Sequence, residues 1–134
     1  MGSKSYKNAE MEQMAGALKK HLERRDIIGY AAARNIRILA NELTEYTAEK
    51  NALIRKYGEA DTDEDGNPTG SVSIRVDTPE FKKFAIEIEQ FANISHSPDI
   101  MTIPYESAIG KLSGAEFLEL DWMFVDGGVT EDAS

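Results

Sequence analysis

Between Tyr30 and Tyr57 the chain runs for 28 residues, YAAARNIRILANELTEYTAEKNALIRKY, without a single Gly or Pro. These are the residues that most disfavour a helix interior, Gly through backbone entropy and Pro through its missing donor and its ring. Apolar side chains recur at Ile36, Leu39, Leu43, Tyr46, Leu53 and Tyr57, in steps of three and four once Lys50 is counted in the register. That spacing draws one apolar stripe along an α-helix. Arg55 and Lys56 fall in the last turn, where the helix dipole favours cations, and Gly58 stands where a helix commonly ends on a left-handed residue. One long central helix over Tyr30–Tyr57 is expected.

The flanking stretches read as partners for it. A first helix is expected from Lys7 or Asn8 to about Arg25, with Asn8 as N-cap, Glu10 and Glu12 in the first turn, and a stripe of Met11, Met14, Ala15, Leu18 and Leu22. Asp26-Ile27-Ile28-Gly29 breaks the pattern, and so short a connection makes a helical hairpin. Thr78-Pro79 is a cap followed by Pro at the first helical position, opening a helix to about Asn93. Its core face is Phe81, Phe84, Ile88 and Phe91, flanked by Ala85 and Ala92. Ser113 and Glu116 have capping-box spacing, and from Ala115 to Val125 apolar residues occupy nearly every side. A helix of that kind is buried by its own domain, or half by a partner.

Two short strands are expected. Ser71–Val76 alternates Val72, Ile74 and Val76 with polar residues, and Ile100–Pro104 is extended, so the two are expected to pair as one small ribbon. The fold class is therefore mainly α (α+β minor): a long central helix, a helical hairpin, two further helices and a small two-stranded β ribbon. Residues 1–126 read as a single domain and 127–134 as an acidic flexible tail.

Charge narrows the function classes. The net charge is −9, which argues against general affinity for nucleic acid or an anionic membrane. It is unevenly placed: residues 1–58 carry 11 Lys/Arg against 7 Asp/Glu, and residues 59–134 carry 4 against 17. The chain contains no Cys, so disulfides are excluded and nothing points to an oxidising compartment. No apolar run approaches the roughly 18 residues of a membrane span.

Each motif with chemical content also has a plain structural reading. Asp61, Asp63, Asp65 and Gly66 match the first half of a calcium loop, where alternate carboxylates surround a hard cation. Val72 stands where that loop needs a bidentate Glu, and Pro68 interrupts it, so the segment reads as a solvated acidic turn. Together with Glu64 it is a candidate contact for a basic partner. Lys19, Lys20, Arg24 and Arg25, around His21, form a basic cluster able to meet phosphate or an acidic protein face, or to serve as the wet side of a helix. Trp122 is either core or an interface anchor. Lys50, inside the apolar register, is expected to snorkel, to meet a Glu of the Thr78–Asn93 helix, or to mark where the central helix outruns the core. His21 and His96 are the only histidines and neither sits in a triad pattern. No catalytic residue, metal site or cofactor is assigned.

Three stretches, Arg34–Asn67, Phe81–Ile94 and Leu112–Asp126, together resemble a family of small proteins of unknown function encoded by phages and prophages of Gram-positive bacteria. The matching residues are Lys56, Tyr57 and Gly58 at a helix end, Asp65, Gly66 and Asn67 in an acidic turn, and Leu112, Ser113, Glu116, Leu120, Met123 and Phe124 in the last helix. The Ser71–Val76 stretch departs most from the pattern. The resemblance transfers no catalytic residues. It implies a phage accessory or assembly gene acting in the cytoplasm of the bacterial host. The expected function is non-enzymatic protein binding, as an inhibitor of a host defence system (anti-CRISPR-type) whose acidic surface occupies a basic nucleic-acid channel. The alternative is a virion, tail or head assembly protein that forms a homo-oligomer through its last helix.

Overall fold

The protein was analysed as a computed structural model, which describes residues 4–126. In chain order the elements are β1 (Tyr6–Lys7), α1 (Asn8–Leu18), α2 (Ile27–Glu42), α3 (Thr44–Tyr57), β2 (Glu59–Thr62), β3 (Pro68–Ser73), α4 (Pro79–Ala92), β4 (Ser95–His96), β5 (Ile103–Pro104), α5 (Gly114–Glu119) and β6 (Phe124–Val125). The fold is mainly α with minor β, as the sequence periodicity predicts. The acidic segment 127–134 lies outside the described residues.

The long apolar register is one stripe on two helices, because the helix is interrupted at Leu43 (φ −88°, ψ 0°). Thr44 supplies the cause. Its hydroxyl donates back to the carbonyls of Ala40 (3.2 Å) and Asn41 (2.9 Å), a competition with the helical ladder that bends helices. The bonds from Leu43 N–H to the Leu39 carbonyl (2.9 Å) and from Thr47 N–H to the Leu43 carbonyl (2.8 Å) carry the register across. Leu39, Leu43, Tyr46 and Leu53 are accordingly all buried. Lys50 reaches Glu12 of α1 at 2.7 Å, not a Glu of α4.

The helix ends differ from expectation in instructive ways. α1 stops at Leu18 and a 3-10 turn covers Lys19–His21, so Leu22 leaves the apolar stripe and is exposed. Asn8 is not the cap but a buried first-turn residue whose Nδ2 donates to the Phe91 carbonyl at 2.9 Å. The stretch Asp26–Gly29 is the capped start of α2: Asp26 Oδ1 accepts the Gly29 N–H at 3.1 Å. Gly58 is extended (φ −90°), not left-handed. Its value is close approach, since an added Cβ would sit 2.7 Å from Val72 Cγ1 and 2.8 Å from the Ser73 carbonyl oxygen.

The expected ribbon between the 71–76 and 100–104 segments does not form. β2 pairs antiparallel with β3, β1 antiparallel with β4, and β5 parallel with β6. The partner of β3 is the acidic segment beside it in sequence, because loop closure over a few residues costs less entropy than a distant pairing. β3 ends at Ser73 because its partner begins only at Glu59, where α3 has released the chain. The alternation at Val72, Ile74 and Val76 therefore buries little: Val76 is 75% exposed.

The main core joins Met11, Met14 and Leu18 of α1, Ile28, Ala31, Ala32 and Leu39 of α2, and Ile103, Ala108, Leu120, Met123 and Phe124 from the C-terminal third. Ala31 and Ala32 let the backbones approach. Fully buried Asn35 pins the C-terminal third to α2: its Nδ2 donates to the Met101 carbonyl (2.9 Å) and its Oδ1 accepts the Met101 N–H (2.7 Å). α5 is short, not an apolar helix to Val125. Ser113 and Glu116 form the expected capping box (3.1 and 2.9 Å), then Asp121–Met123 turn as 3-10 and the chain leaves as β6. By contrast, α4 has no fully buried residue. Phe91, Ile88 and Ala92 lean on the core, and Phe81 and Phe84 pair with each other 6.1 Å apart.

Candidate functional site

α3 and α4 pack against each other, and the β2–β3 hairpin joins the end of α3 to the start of α4. Residues 59–73 hold five carboxylates and no Lys or Arg. Apart from Asp61, which is half-buried, every residue in this stretch is exposed. The hairpin's shape is set by its own polar groups. Asp63 Oδ1 accepts the N–H groups of Asp65 (2.9 Å) and Asn67 (3.0 Å), an Asx turn closed by the Asp63 N–H to the Asn67 carbonyl (2.8 Å). Gly66 (φ +82°) takes the left-handed position that the turn requires. Between the Ala60–Val72 and Thr62–Pro68 pairs, β3 holds two residues more than β2, a bulge accommodated by Gly70 at φ +88°. Asp61 Oδ1 accepts the Ser73 hydroxyl at 2.6 Å across that bulge.

The four acidic residues singled out from sequence thus share one hairpin but divide its work. Asp61 and Asp63 hold the shape, whereas Glu64 and Asp65 are exposed at the turn. The alternate carboxylates do not converge as a calcium loop would have them. One oxygen of Asp63 is occupied by two amides, and among the described residues no three His, Asp or Glu side chains gather as metal ligands.

The basic cluster is tied in part to the C-terminal third, with Lys20 itself still exposed. Lys20 pairs with Glu119 of α5 at 2.6 Å, an interaction that raises the pKa of the ammonium. Arg24 forks onto Asp26 (2.8 and 3.2 Å) and reaches the Lys111 carbonyl (3.3 Å). That guanidinium, with the Gly29 amide, holds the Asp26 carboxyl below its usual range. His21 is 2% exposed, with Nε2 4.0 Å from Glu116 and no hydrogen-bond partner among the described residues. Burial lowers its pKa, against the opposing pull of Glu116. These residues seam α5 to the end of α1. Lys19 and Arg25 remain exposed.

Trp122 is half-buried against the core. It lines two adjoining clefts, one with Tyr6, Ile100 and Phe124 and one with Tyr6, Glu10 and Glu119. The structure does not bring Trp122, the basic cluster and the acidic hairpin into one site. The sequence reading missed the acidic stripe Glu42, Glu45 and Glu49, although its spacing by three and four is the signature of one helix face. The gap in helix at Leu43 leaves that spacing intact.

Among the described residues no helix is long and apolar enough to cross a membrane. Comparison with protein-family models, with curated proteins and with solved structures gives no match.

Proposed function

We propose that this is a phage accessory protein that acts without catalysis, by binding another protein through the β2–β3 hairpin. The observation that carries the reading is the hairpin itself: an internally hydrogen-bonded ribbon with five carboxylates, four of them exposed. Arg75 is the cation that shares a cleft with Glu59 and Asp61, and the turn residues Asp63, Glu64 and Asp65 have no cation beside them in residues 59–73. A projecting acidic ribbon fixed in shape suits a basic channel, since its charges have the sign of nucleic-acid phosphates and little ordering entropy is lost on docking. The partner class is a host defence nuclease met in the bacterial cytoplasm, which is the anti-CRISPR-type reading, and the resemblance to phage and prophage proteins supports that setting.

The test is affinity capture from host lysate at low and moderate salt, followed by nuclease inhibition. A hairpin carrying Glu59→Gln, Glu64→Gln and Asp65→Asn keeps Asp61 and Asp63, and hence the turn, while removing three charges. Loss of capture in this variant, and in wild type as salt rises, is expected. Undiminished inhibition by the variant overturns the reading.

A second reading, assembly of a virion or homo-oligomer through the last helix, is favoured by Leu118 of α5, which is 82% exposed. It requires a defined oligomer in sedimentation that Leu118→Glu dissociates and that hairpin neutralisation leaves intact.

A further inference from the structure

α3 and α4 are antiparallel, so the end of the pair away from the acidic hairpin brings the start of α3 beside the end of α4. A cleft of about 250 Å³ opens there. Glu42, Glu45 and Glu49 line one wall. Glu45 and Glu49 are exposed, and Glu42 lies 3.2 Å from Nδ1 of His96, which lines the cleft opposite. Tyr46, Phe91 and Ile94 supply its apolar surface, and no Lys or Arg lines it.

A second and independent feature marks the same place. Asn8 lines the cleft and is only 3% exposed. Its Nδ2 is committed to the Phe91 carbonyl, and its Oδ1 has no hydrogen-bond partner among the described residues. A buried acceptor left unsatisfied is unusual in a folded protein, because it keeps the desolvation cost without the bond.

We propose that this cleft binds a guanidinium group on an apolar stem. With Glu42 engaged by His96, the acceptors left without a partner among the described residues are Glu45, Glu49 and the Asn8 oxygen, so the complementary group is one that donates. A guanidinium offers five donors in a planar fork, pairs bidentately with carboxylate and stacks on aromatic faces such as Tyr46 and Phe91, which a compact ammonium does less well. The volume falls below the roughly 300–1,000 Å³ of typical small-molecule pockets and suits the end of one side chain. The group comes either from an arginine of a protein partner or from a small free guanidinium compound. The proposal stands apart from the hairpin reading and does not require it.

The test is amide chemical-shift titration of the full chain with N-acetyl-arginine-methylamide, with agmatine and with the neutral citrulline analogue. The expected result is saturable shifts confined to residues 42–49, 91–96 and Asn8 for both guanidinium compounds, and none for citrulline. Glu45→Gln with Glu49→Gln, two exposed positions that leave folding intact, weakens binding about tenfold or more. The hairpin variant leaves it unchanged. Absence of shifts, equal binding of the citrulline analogue, or full affinity in the double Gln variant overturns the proposal. Where the site holds, tighter binding of arginine-containing peptides than of agmatine identifies a protein side chain as the source, and the reverse identifies a free compound.

Discussion

The molecule has a body and an arm, built on different principles. In the body, α1, α2 and the C-terminal third bury a continuous cluster that includes fully buried Met11, Leu18, Ile28, Leu39, Leu120 and Met123. In the arm, formed by α3, the hairpin and α4, burial is confined to Tyr46 and Leu53, neither of them complete, and only Tyr46 belongs to the main cluster. The arm rests instead on half-buried aromatics and, among the described residues, a single internal ion pair: Lys56 lies near Glu87, and the Tyr57 hydroxyl donates to Glu87. Surface ion pairs contribute little to stability, whereas apolar burial contributes a great deal. The difference teaches which region packs and which one presents the two proposed sites. The hairpin and the guanidinium cleft lie at the two ends of the arm, and the body holds the arm's base in place.

The comparison can be broken most directly in the body. Leu39→Ala is expected to cost about 3 kcal/mol of global stability by creating a cavity among Met11, Leu43 and their neighbours. Leu53→Ala, with 8% exposure and fewer rigid surroundings, should cost about half as much, ~1.5 kcal/mol. Urea unfolding measures both, and equal costs would mean that the arm is packed as firmly as the body. Gly58→Ala should cost about 2 kcal/mol, because the new Cβ would meet the Ile54 carbonyl oxygen of α3 at 2.5 Å as well as Val72 and Ser73 of β3. Its signature is faster amide exchange in β2 and β3 while α2 stays protected. In wild type, hydrogen exchange should already rank α3, the hairpin and α4 below α2.

A smaller effect distinguishes the body by pH. His21 is held neutral by burial, so its folded pKa lies below the ordinary 6.5. Below 6.5 the unfolded chain takes up the proton first. The stability His21 contributes is therefore complete above 6.5 and is lost as pH falls through the folded pKa. His21→Gln should flatten the stability profile in that window, and an unchanged profile would show that the imidazole is not desolvated. The smallest effect belongs to the hairpin tip: Glu64→Gln with Asp65→Asn should shift stability by less than about 0.5 kcal/mol. A large loss there would make the turn a structural element and not a presenting surface.

Much of the local structure was legible. Thr78-Pro79 opens α4, Ser113 and Glu116 cap α5, and the apolar register through Leu39, Leu43, Tyr46 and Leu53 is buried as its spacing requires. The acidic residues of the hairpin were also legible as a group. Their division into shape-holding Asp61 and Asp63 and exposed Glu64 and Asp65 was not, because it depends on which oxygen meets which amide. The basic cluster was legible in part, since Lys19, Lys20 and Arg25 are exposed as a wet face requires. His21 and Arg24 depart from it only because Glu116 and the Lys111 carbonyl, far away in sequence, are brought against them.

Caps, periodicities and charge runs act over one or two helical turns, and those the sequence determined: mainly helical composition, the register of each apolar face and the acidity of the segment after Gly58. Tertiary structure decided everything that joins distant residues. It tied Asn35 to Met101 and assembled a cleft from Asn8, the Glu42–Glu49 stripe and His96. Each of these contacts is selected by the free energy of the whole packed chain, which no local window of residues contains.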